Sequence, residues 1–463
     1  MILLILAAAG LFGLLALLGF MRLERTGRSH IAVAIVLGIA GLEILLQGPH
    51  FLVPIGLFRL PIGPLDARPI DLVLPLALAA RILGRPVSTR VSTTLVLWMA
   101  FAAWYVFGAY WGFVLGNDTA RLINQVRAVL ILVGVIALVA GVPARHYVSE
   151  IAQRRMAQIA VFLVPFIYFF RFTVGWISLN IPFASIPQFG AISSDASLAI
   201  SIFGMYVVVT QLYREDRRWL YLGSGMLLVL VPLLGTQGAS IIGMSALIAF
   251  MIAVSYSRHW RRNVHLTGTE VALFAVLLIG IGTIGQLVLG EELAIAEQVE
   301  ESLFSQSQQR TSNVRVLLWS EAIDIALESP GLGVGVGFVQ DLPDQWPEPP
   351  AVAASHNIFL DIALRSGAPG LILLTMALVS AAVIGVRSWA ATDDAMGALA
   401  LVAVGGLLAI VVKGQVESLL DQFRHAVMIG SYVGFIGSIA RFSGRTSAMG
   451  PSDAEDTRAV PIG

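Results

Sequence analysis

AMGALALVAVGGLLAIVVK, residues 395–413, carries a single charge, and that charge is its last residue. A helix rises about 1.5 Å per residue, so a run of roughly this length crosses the ~30 Å hydrocarbon core of a bilayer. Comparable apolar stretches recur at 2–21, 31–53, 69–83, 94–115, 122–141, 156–176, 195–213, 219–235, 239–256, 269–290, 366–386 and 425–441. The composition agrees. Of 463 residues, 57% are hydrophobic and 13% charged, with a mean hydropathy of +0.83, whereas soluble chains carry about 25% charged residues. A soluble enzyme is excluded. A β-barrel is excluded as well, because barrel strands alternate residue by residue over about ten positions. The expected fold is an all-α polytopic transmembrane bundle of about 12–13 spans. The first stretch reads as a retained helix, since no basic residue precedes it and no small-x-small cleavage site follows.

Side-to-side asymmetry in basic residues orients the bundle, because Lys and Arg collect on the cytoplasmic side. Of the 29 basic residues, 19 fall on the connections after the first, third, fifth, seventh, ninth and eleventh stretches and on the tail; 9 fall on the other side, and Arg171 lies within a span. The N-terminus is therefore expected outside and the C-terminus inside. The chain divides into N-terminal spans (1–290), a large external loop (291–365), three C-terminal spans (366–441) and a polar cytoplasmic tail (442–463), expected to be disordered. No internal repeat is visible. The formal net charge of +0 argues against a nucleic-acid partner, and the absence of cysteine removes disulfides, thiolate metal sites and cysteine nucleophiles.

The external loop is the most informative part of the chain. Between residues 291 and 355 it carries eleven acidic residues but two basic ones, Arg310 and Arg315. Guanidinium is the natural fork for a phosphate or diphosphate; the alternative is that both arginines pair with neighbouring carboxylates such as Glu321 or Asp324. The spacing of Val314, Leu317, Leu318, Ala322 and Ile325 predicts a helix over about 313–328. Alternating glycines follow at Gly331, Gly333, Gly335 and Gly337. They follow no strand and open no helix, so they are not a dinucleotide fingerprint; they mark a backbone that turns sharply and packs closely. Then comes Ser355-His356-Asn357, ahead of a short apolar helix ending at Gly367. A neutral imidazole here could take a proton from a hydroxyl nucleophile, or Ser355 or Asn357 caps the helix and His356 packs against it. Glu43, Arg171 and Lys413 lie within or at the edges of spans, where a charge is a functional candidate by default; Lys413 could hold an anionic headgroup or snorkel. Asp195 and Asp421 are external and near span ends. The acidic stretch Glu291–Glu301 could bind a divalent cation or form a solvated helix face.

Taken in order, Asn313-Val314-Arg315-Val316-Leu317-Leu318-Trp319, Ser329-Pro330-Gly331 through Gly337-Phe338, Ser355-His356-Asn357-Ile358-Phe359-Leu360 and Gly367-Ala368-Pro369-Gly370-Leu371 resemble the O-antigen ligase and Wzy polymerase superfamily. That family's pattern is an R-x-x-x-W helix, a P-x-x-G-x-G-x-G-x-F stretch and an H-N-x-x-L … G-x-x-G-L segment. The close match covers about residues 310–372. The resemblance implies a bacterial inner-membrane, GT-C-like glycosyltransferase that needs no cofactor. Its donor would be an undecaprenyl-diphosphate-linked oligosaccharide, used at the periplasmic face with inversion. The acceptor hydroxyl would belong to lipid A core in a ligase, or to another lipid-linked repeat unit in an O-antigen or exopolysaccharide polymerase. Chain-length regulator and flippase proteins would be its partners in the lipid bilayer. By position, Arg315 would hold the diphosphate and His356 would orient or deprotonate the acceptor, with Asn357, Gly333, Gly335 and Gly337 positioning them; for ligases no metal is implied.

Two positions depart from the pattern. Ligases carry Thr-x-Ser-Arg at an earlier external turn, where this chain reads Thr236-Gln237-Gly238-Ala239-Ser240. Many members also carry a glutamate two residues before the glycine of the H-N segment, where this chain has Arg365. Arg365, Arg171 and Arg310 are candidates to replace the missing arginine, whose loss favours the polymerase branch over ligase. The rival classes are a polysaccharide transporter or flippase, which would show repeated halves and broken spans meeting at mid-membrane, and a structural subunit, which would leave the Arg315–glycine–His356 ensemble unexplained.

Overall fold

Hydrocarbon offers backbone N–H and C=O groups no partner, so each apolar run must satisfy them within itself, and it does so as a helix. The structure, a computed structural model, describes residues 2–46, 60–62, 65–84, 93–180, 194–214, 216–234, 238–257, 306–340, 355–392, 395–417, 420 and 423–446. Its helices are α1 (Ile2–Arg25), α2 (Ser29–Leu46), α3 (Pro69–Gly84), α4 (Thr93–Val114), α5 (Thr119–Ala140), α6 (Glu150–Asn180), α7 (Ser194–Leu212), α8 (Trp219–Val229), α9 (Gly238–Ser255), α10 (Gln306–Glu328), α11 (Ile358–Ala390), α12 (Ala395–Lys413) and α13 (Phe423–Thr446). Every apolar stretch read from the sequence coincides with a helix except 269–290, which lies outside the described residues. Among the described residues, α4, α5, α7, α11 and α12 are long and apolar enough to cross a membrane, and Ser29–Ile44, Trp219–Leu233 and Ala239–Ser255 are shorter apolar helical segments. Exposed Phe107, Tyr110, Phe113, Phe162, Ile372 and Val379 coat the outside of the bundle with apolar surface on a scale suited to lipid. The all-α polytopic fold is as expected.

Two local features differ from the sequence reading, and residues 47–53 of the second stretch lie outside the described residues. A two-stranded hairpin, β1 (Leu60–Ile62) against β2 (Leu65–Ala67), pairs Leu60 with Ala67 before α3. Helix α10 begins at Gln306, earlier than the apolar periodicity alone predicts.

Helices pack where small residues let backbones meet. On α13, Gly430 and Gly434 lie against α5 so closely that an added Cβ would come within 2.8 Å of the Leu132 carbonyl and 2.6 Å of Val139 Cβ. At one end of the bundle, Arg81 donates to Leu138 O (2.6 Å) and to Gly141 O. There too the His30 and His146 rings stack at 4.5 Å, and Arg214 pairs with Glu150 at 3.3 Å. At the other end Glu43 pairs with Arg68 (3.1 Å) and Asp71 with Arg127 (3.4 Å). The two sets separate as the basic-residue alternation requires.

The glycine segment is a strap across this second end. Gly333, Gly335 and Gly337 have φ of 68°, 84° and 87°, a left-handed conformation that glycine adopts without penalty. Between them, Val334 N–H donates to Leu364 O (2.8 Å) and Val336 N–H to Gly108 O (3.1 Å). The Asn117 amide donates to Val334 O at 2.9 Å, and Gly337 N–H donates to Gln125 Oε1 at 2.9 Å. A Cβ on Gly335 would overlap the backbone of Gly112, and one on Gly337 would reach 2.8 Å from Asp118 O. Gly335→Ala is therefore expected to cost at least about 2 kcal/mol through strain and clash. Thermal unfolding of the detergent-solubilised protein checks this, and an unchanged midpoint would contradict it.

Candidate functional site

The R-x-x-x-W spacing places Arg315 and Trp319 one turn apart on the same face of α10. Leu318 and Ala322 are buried beside them, and Gln340 ties the helix to the strap by donating to Leu318 O (2.8 Å) and Glu321 Oε2 (3.1 Å). Trp319 Nε1–H donates to Ser355 O at 2.8 Å, so the Arg315 face of α10 is docked on the residue before His356. Among the described residues no ion pair joins Arg315 to Glu321 or Asp324. The half-buried Arg315 guanidinium is pushed below its usual pKa by burial, and the carboxylate of Glu417 offsets part of that; Arg315 Nε is buried without a hydrogen-bond partner among the described residues.

His356 is the one non-glycine residue with positive φ (56°) among those described, a conformation concentrated at functional sites. Its neighbours hold it. Ser355 N–H and Oγ–H both donate to the buried Asp361 Oδ1, at 2.7 and 2.8 Å. Asn357 caps α11, its Oδ1 accepting from Phe359 N–H (3.0 Å) and Leu360 N–H (3.3 Å). Ile358 N–H donates to Gly414 O (2.8 Å), and the Asn357 amide reaches Gln415 Oε1 at 3.4 Å. The His-Asn segment is thereby stapled to the turn after α12. Of the two capping candidates read from the sequence, Asn357 is the cap. The short helix does end at Gly367, where φ 67° and ψ −174° break α11 and Ala368 N–H turns back to Pro330 O (2.8 Å).

That turn leads into an ion cluster assembled from three helices. Asp195 opens α7; Lys413 ends α12; Arg424 and His425 lie in the first turn of α13. Lys413 Nζ donates to Asp195 Oδ1 and lies 3.1 Å from Glu417 Oε2. Arg424 NH1 lies 2.9 Å from Asp195 Oδ2, and His425 Nε2 lies 2.6 Å from Asp195 Oδ1. Lys413 has no solvent exposure and His425 1%, so Lys413 does not snorkel. Ser240 Oγ–H donates to Ser194 Oγ (3.0 Å), and Ser194 Oγ–H to Glu417 Oε1 (3.4 Å). Next door, Arg68, already paired with Glu43, stacks on the Phe423 ring at 4.2 Å. Asp195, Glu417 and His425 each bring one ligand atom within 4.8 Å of the others, a donor set a divalent cation could use. Yet Lys413 and Arg424 already engage both Asp195 oxygens. Among the described residues, Lys413 and Arg424 hold the carboxylates of Asp195 and Glu417, and Arg315 feels the charge of Glu417.

Residues 222–375 match the family model described as O-antigen ligase.

The resemblance read from the sequence therefore holds, on a stretch that runs from α8 to α11 and contains Arg315, the glycine strap and His356. No curated protein matches the chain. The chain is a multi-pass membrane protein of which residues 222–375 are similar to the O-antigen ligase family.

The other candidates read from the sequence fall in different places. Arg365 is buried (1% exposed) where α11 meets α4 and the strap. Arg310 lies on α10 five residues before Arg315, about 140° around the helix, and Arg171 lies on α6; the side chains of both are outside the described residues, as are Asp421, the acidic stretch 291–301 and the tail after Thr446. The sequence reading missed Glu417, Arg424 and His425 and left Asp195 without a role. The one available signal was the lone Lys413 at the end of an apolar helix, since a buried ammonium must find a carboxylate somewhere.

Asp195→Asn strands Lys413 without its closest counter-ion. It is expected to lower stability by about 3–5 kcal/mol, with Asp195→Asn/Lys413→Met recovering at least half of the lost unfolding midpoint. A single variant as stable as the parent would show that the cluster does not hold α7, α12 and α13 together.

Proposed function

We propose that this protein is a membrane glycosyltransferase that takes a glycan from undecaprenyl diphosphate and passes it to a hydroxyl acceptor. The bundle end bearing the site faces the periplasm and the membrane is the bacterial inner membrane. The observation that carries the reading is the docking of α10 on the His-Asn segment, which holds Arg315 and His356 beside a cation-rich cluster at one end of the bundle. The roles divide along the chain: residues 1–290 supply the scaffold, 291–365 most of the site, 366–441 the helices it docks on, and 442–463 a tail.

In the reaction the acceptor oxygen attacks the anomeric carbon, forming a new glycosidic bond as the bond to the diphosphate oxygen breaks with inversion. Undecaprenyl diphosphate leaves with the electron pair. Arg315 meets the charge that develops on it, a contact worth about 3 kcal/mol or roughly a hundredfold in rate. The acceptor proton passes to His356, a base matched to neutral pH. Burial of the headgroup at the outer leaflet leaves the prenyl chain in lipid. Asn357, Gly333, Gly335 and Gly337 position the two side chains through the helix cap and the strap. The polymerase branch is favoured because the Thr-x-Ser-Arg arginine is absent. The second reading, ligation to lipid A core, draws on the O-antigen ligase description of the matching family.

A glycan gel with a profile of lipid-linked intermediates, from a strain lacking the protein, decides between them. Loss of long chains with single repeat units still delivered means polymerase; bare lipid A core with polymer accumulating on undecaprenyl diphosphate means ligase. Unaltered glycan would overturn both. Restoring the gene with Arg315→Ala or His356→Ala should give protein at normal level with activity lower by about a hundredfold or more. Near-normal complementation by both would remove these residues from the mechanism.

A further inference from the structure

We propose that Lys413 and Arg424 form the second half of the diphosphate site begun by Arg315, and that Glu417 is an internal carboxylate which the incoming diphosphate displaces. The inference rests on the reading of the donor as a lipid-linked diphosphate and names residues which that reading leaves without a role.

Glu417 links the two halves. Its Oε2 lies 3.1 Å from Lys413 Nζ, and it follows Gly414 and Gln415, which are bonded to Ile358 and Asn357 of the segment on which Trp319 docks α10; its charge also acts on Arg315. It is also reachable. Its side chain is 23% exposed while that of Lys413 is fully buried, and it lies on the turn past the end of α12, where the last helical residue is Lys413. Its remaining contacts are long: Ser194 Oγ at 3.4 Å and His425 Nε2 at 3.9 Å. Glu417 is therefore more open to an arriving anion than the fully buried Lys413.

Arg424 has the complementary character. Among the described residues its partner is Asp195 Oδ2, reached through NH1 at 2.9 Å, and its side chain is 20% exposed. A guanidinium carries five N–H donors, so capacity remains on the open side. Its place in the first turn of α13 sets a cation at the positive end of a helix dipole, the less favourable arrangement. Both the helix terminus and the guanidinium therefore call for an anion that Asp195, already shared with Lys413 and His425, satisfies in part. Arg68 stacked on Phe423 anchors the same turn and limits how far Arg424 can move.

Ser240, near the start of α9, leads through Ser194 to Glu417, so the displaceable carboxylate is also tied to α7 and α9. Two phosphates sharing one oxygen present charge at two centres, which Arg315 from α10 and Lys413 and Arg424 from α12 and α13 would meet.

The test is binding of undecaprenyl diphosphate to the purified full-length protein, with inorganic pyrophosphate and phosphatidylglycerol as comparison ligands. Glu417→Gln should tighten Kd for undecaprenyl diphosphate about three- to fivefold, the scale of a part-exposed ion pair, a gain that misfolding cannot produce. Arg424→Gln should weaken it by about tenfold or more, with Arg424→Lys recovering part. Pyrophosphate following the same pattern at lower affinity supports recognition through the headgroup. Unchanged or weaker binding by Glu417→Gln overturns the inference, as does phosphatidylglycerol binding equally well. If wild type binds undecaprenyl diphosphate and neither variant alters it, this inference alone fails. If wild type does not bind it, the donor assignment fails as well.

Discussion

Two helices bring side chains to the carboxylate of Asp195 on α7: Lys413 from the end of α12, and Arg424 and His425 from the start of α13. A buried ammonium cannot persist without a counter-ion, so α7, α12 and α13 are held in the one arrangement that pairs Lys413. The turn between α12 and α13 inherits that position, and everything on it is consequently fixed relative to the bundle. Gly414 accepts from Ile358 N–H, Gln415 from the Asn357 amide, and the charge of Glu417 acts on Arg315.

The same turn explains how a long loop acquires a defined geometry. Helix α10 is tied to Ser355 by Trp319, Ser355 to Asp361, and Asn357 to the first turn of α11. The glycine strap closes the circuit from α10 to α4, α5 and the break at Gly367. Each tie is modest alone, about 1 kcal/mol net for a typical hydrogen bond. Their value is positional. Two side chains 41 residues apart by number, Arg315 and His356, are held through Trp319 and Ser355 at one end of the bundle. A second ion network, Glu43–Arg68 and Asp71–Arg127, braces that end from the side of α2, α3 and α5.

The helices were legible because twenty apolar residues in a row admit one solution in lipid. The strap was legible too, since glycines at 331, 333, 335 and 337 have no purpose in a helix. What could not be read was the partner of each buried charge. Asp195 and Lys413 lie 218 residues apart, and nothing local in either stretch points to the other. Arg424 looked like an ordinary external basic residue, and Glu417 like one of many acidic ones. The hairpin at 60–67 escaped notice because three-residue strands bear too few positions to show alternation. Arg365 drew attention because it stands where the pattern has glutamate; the fold buries it, with its backbone against Gly108 of α4 and Gly333 of the strap.

In the proposed reading, Arg315, Lys413 and Arg424 receive a diphosphate in place of the Glu417 carboxylate, and a histidine held in a left-handed turn serves the acceptor as the diphosphate leaves. The reaction, rather than the glycan phenotype, tests this most directly. Purified protein in proteoliposomes would be given synthetic undecaprenyl-diphosphate-linked repeat units, and free undecaprenyl diphosphate would be measured alongside product length. The account predicts one lipid diphosphate released for each glycosidic bond formed. Donor that remains intact, or that crosses the bilayer with its sugar still attached, would contradict it.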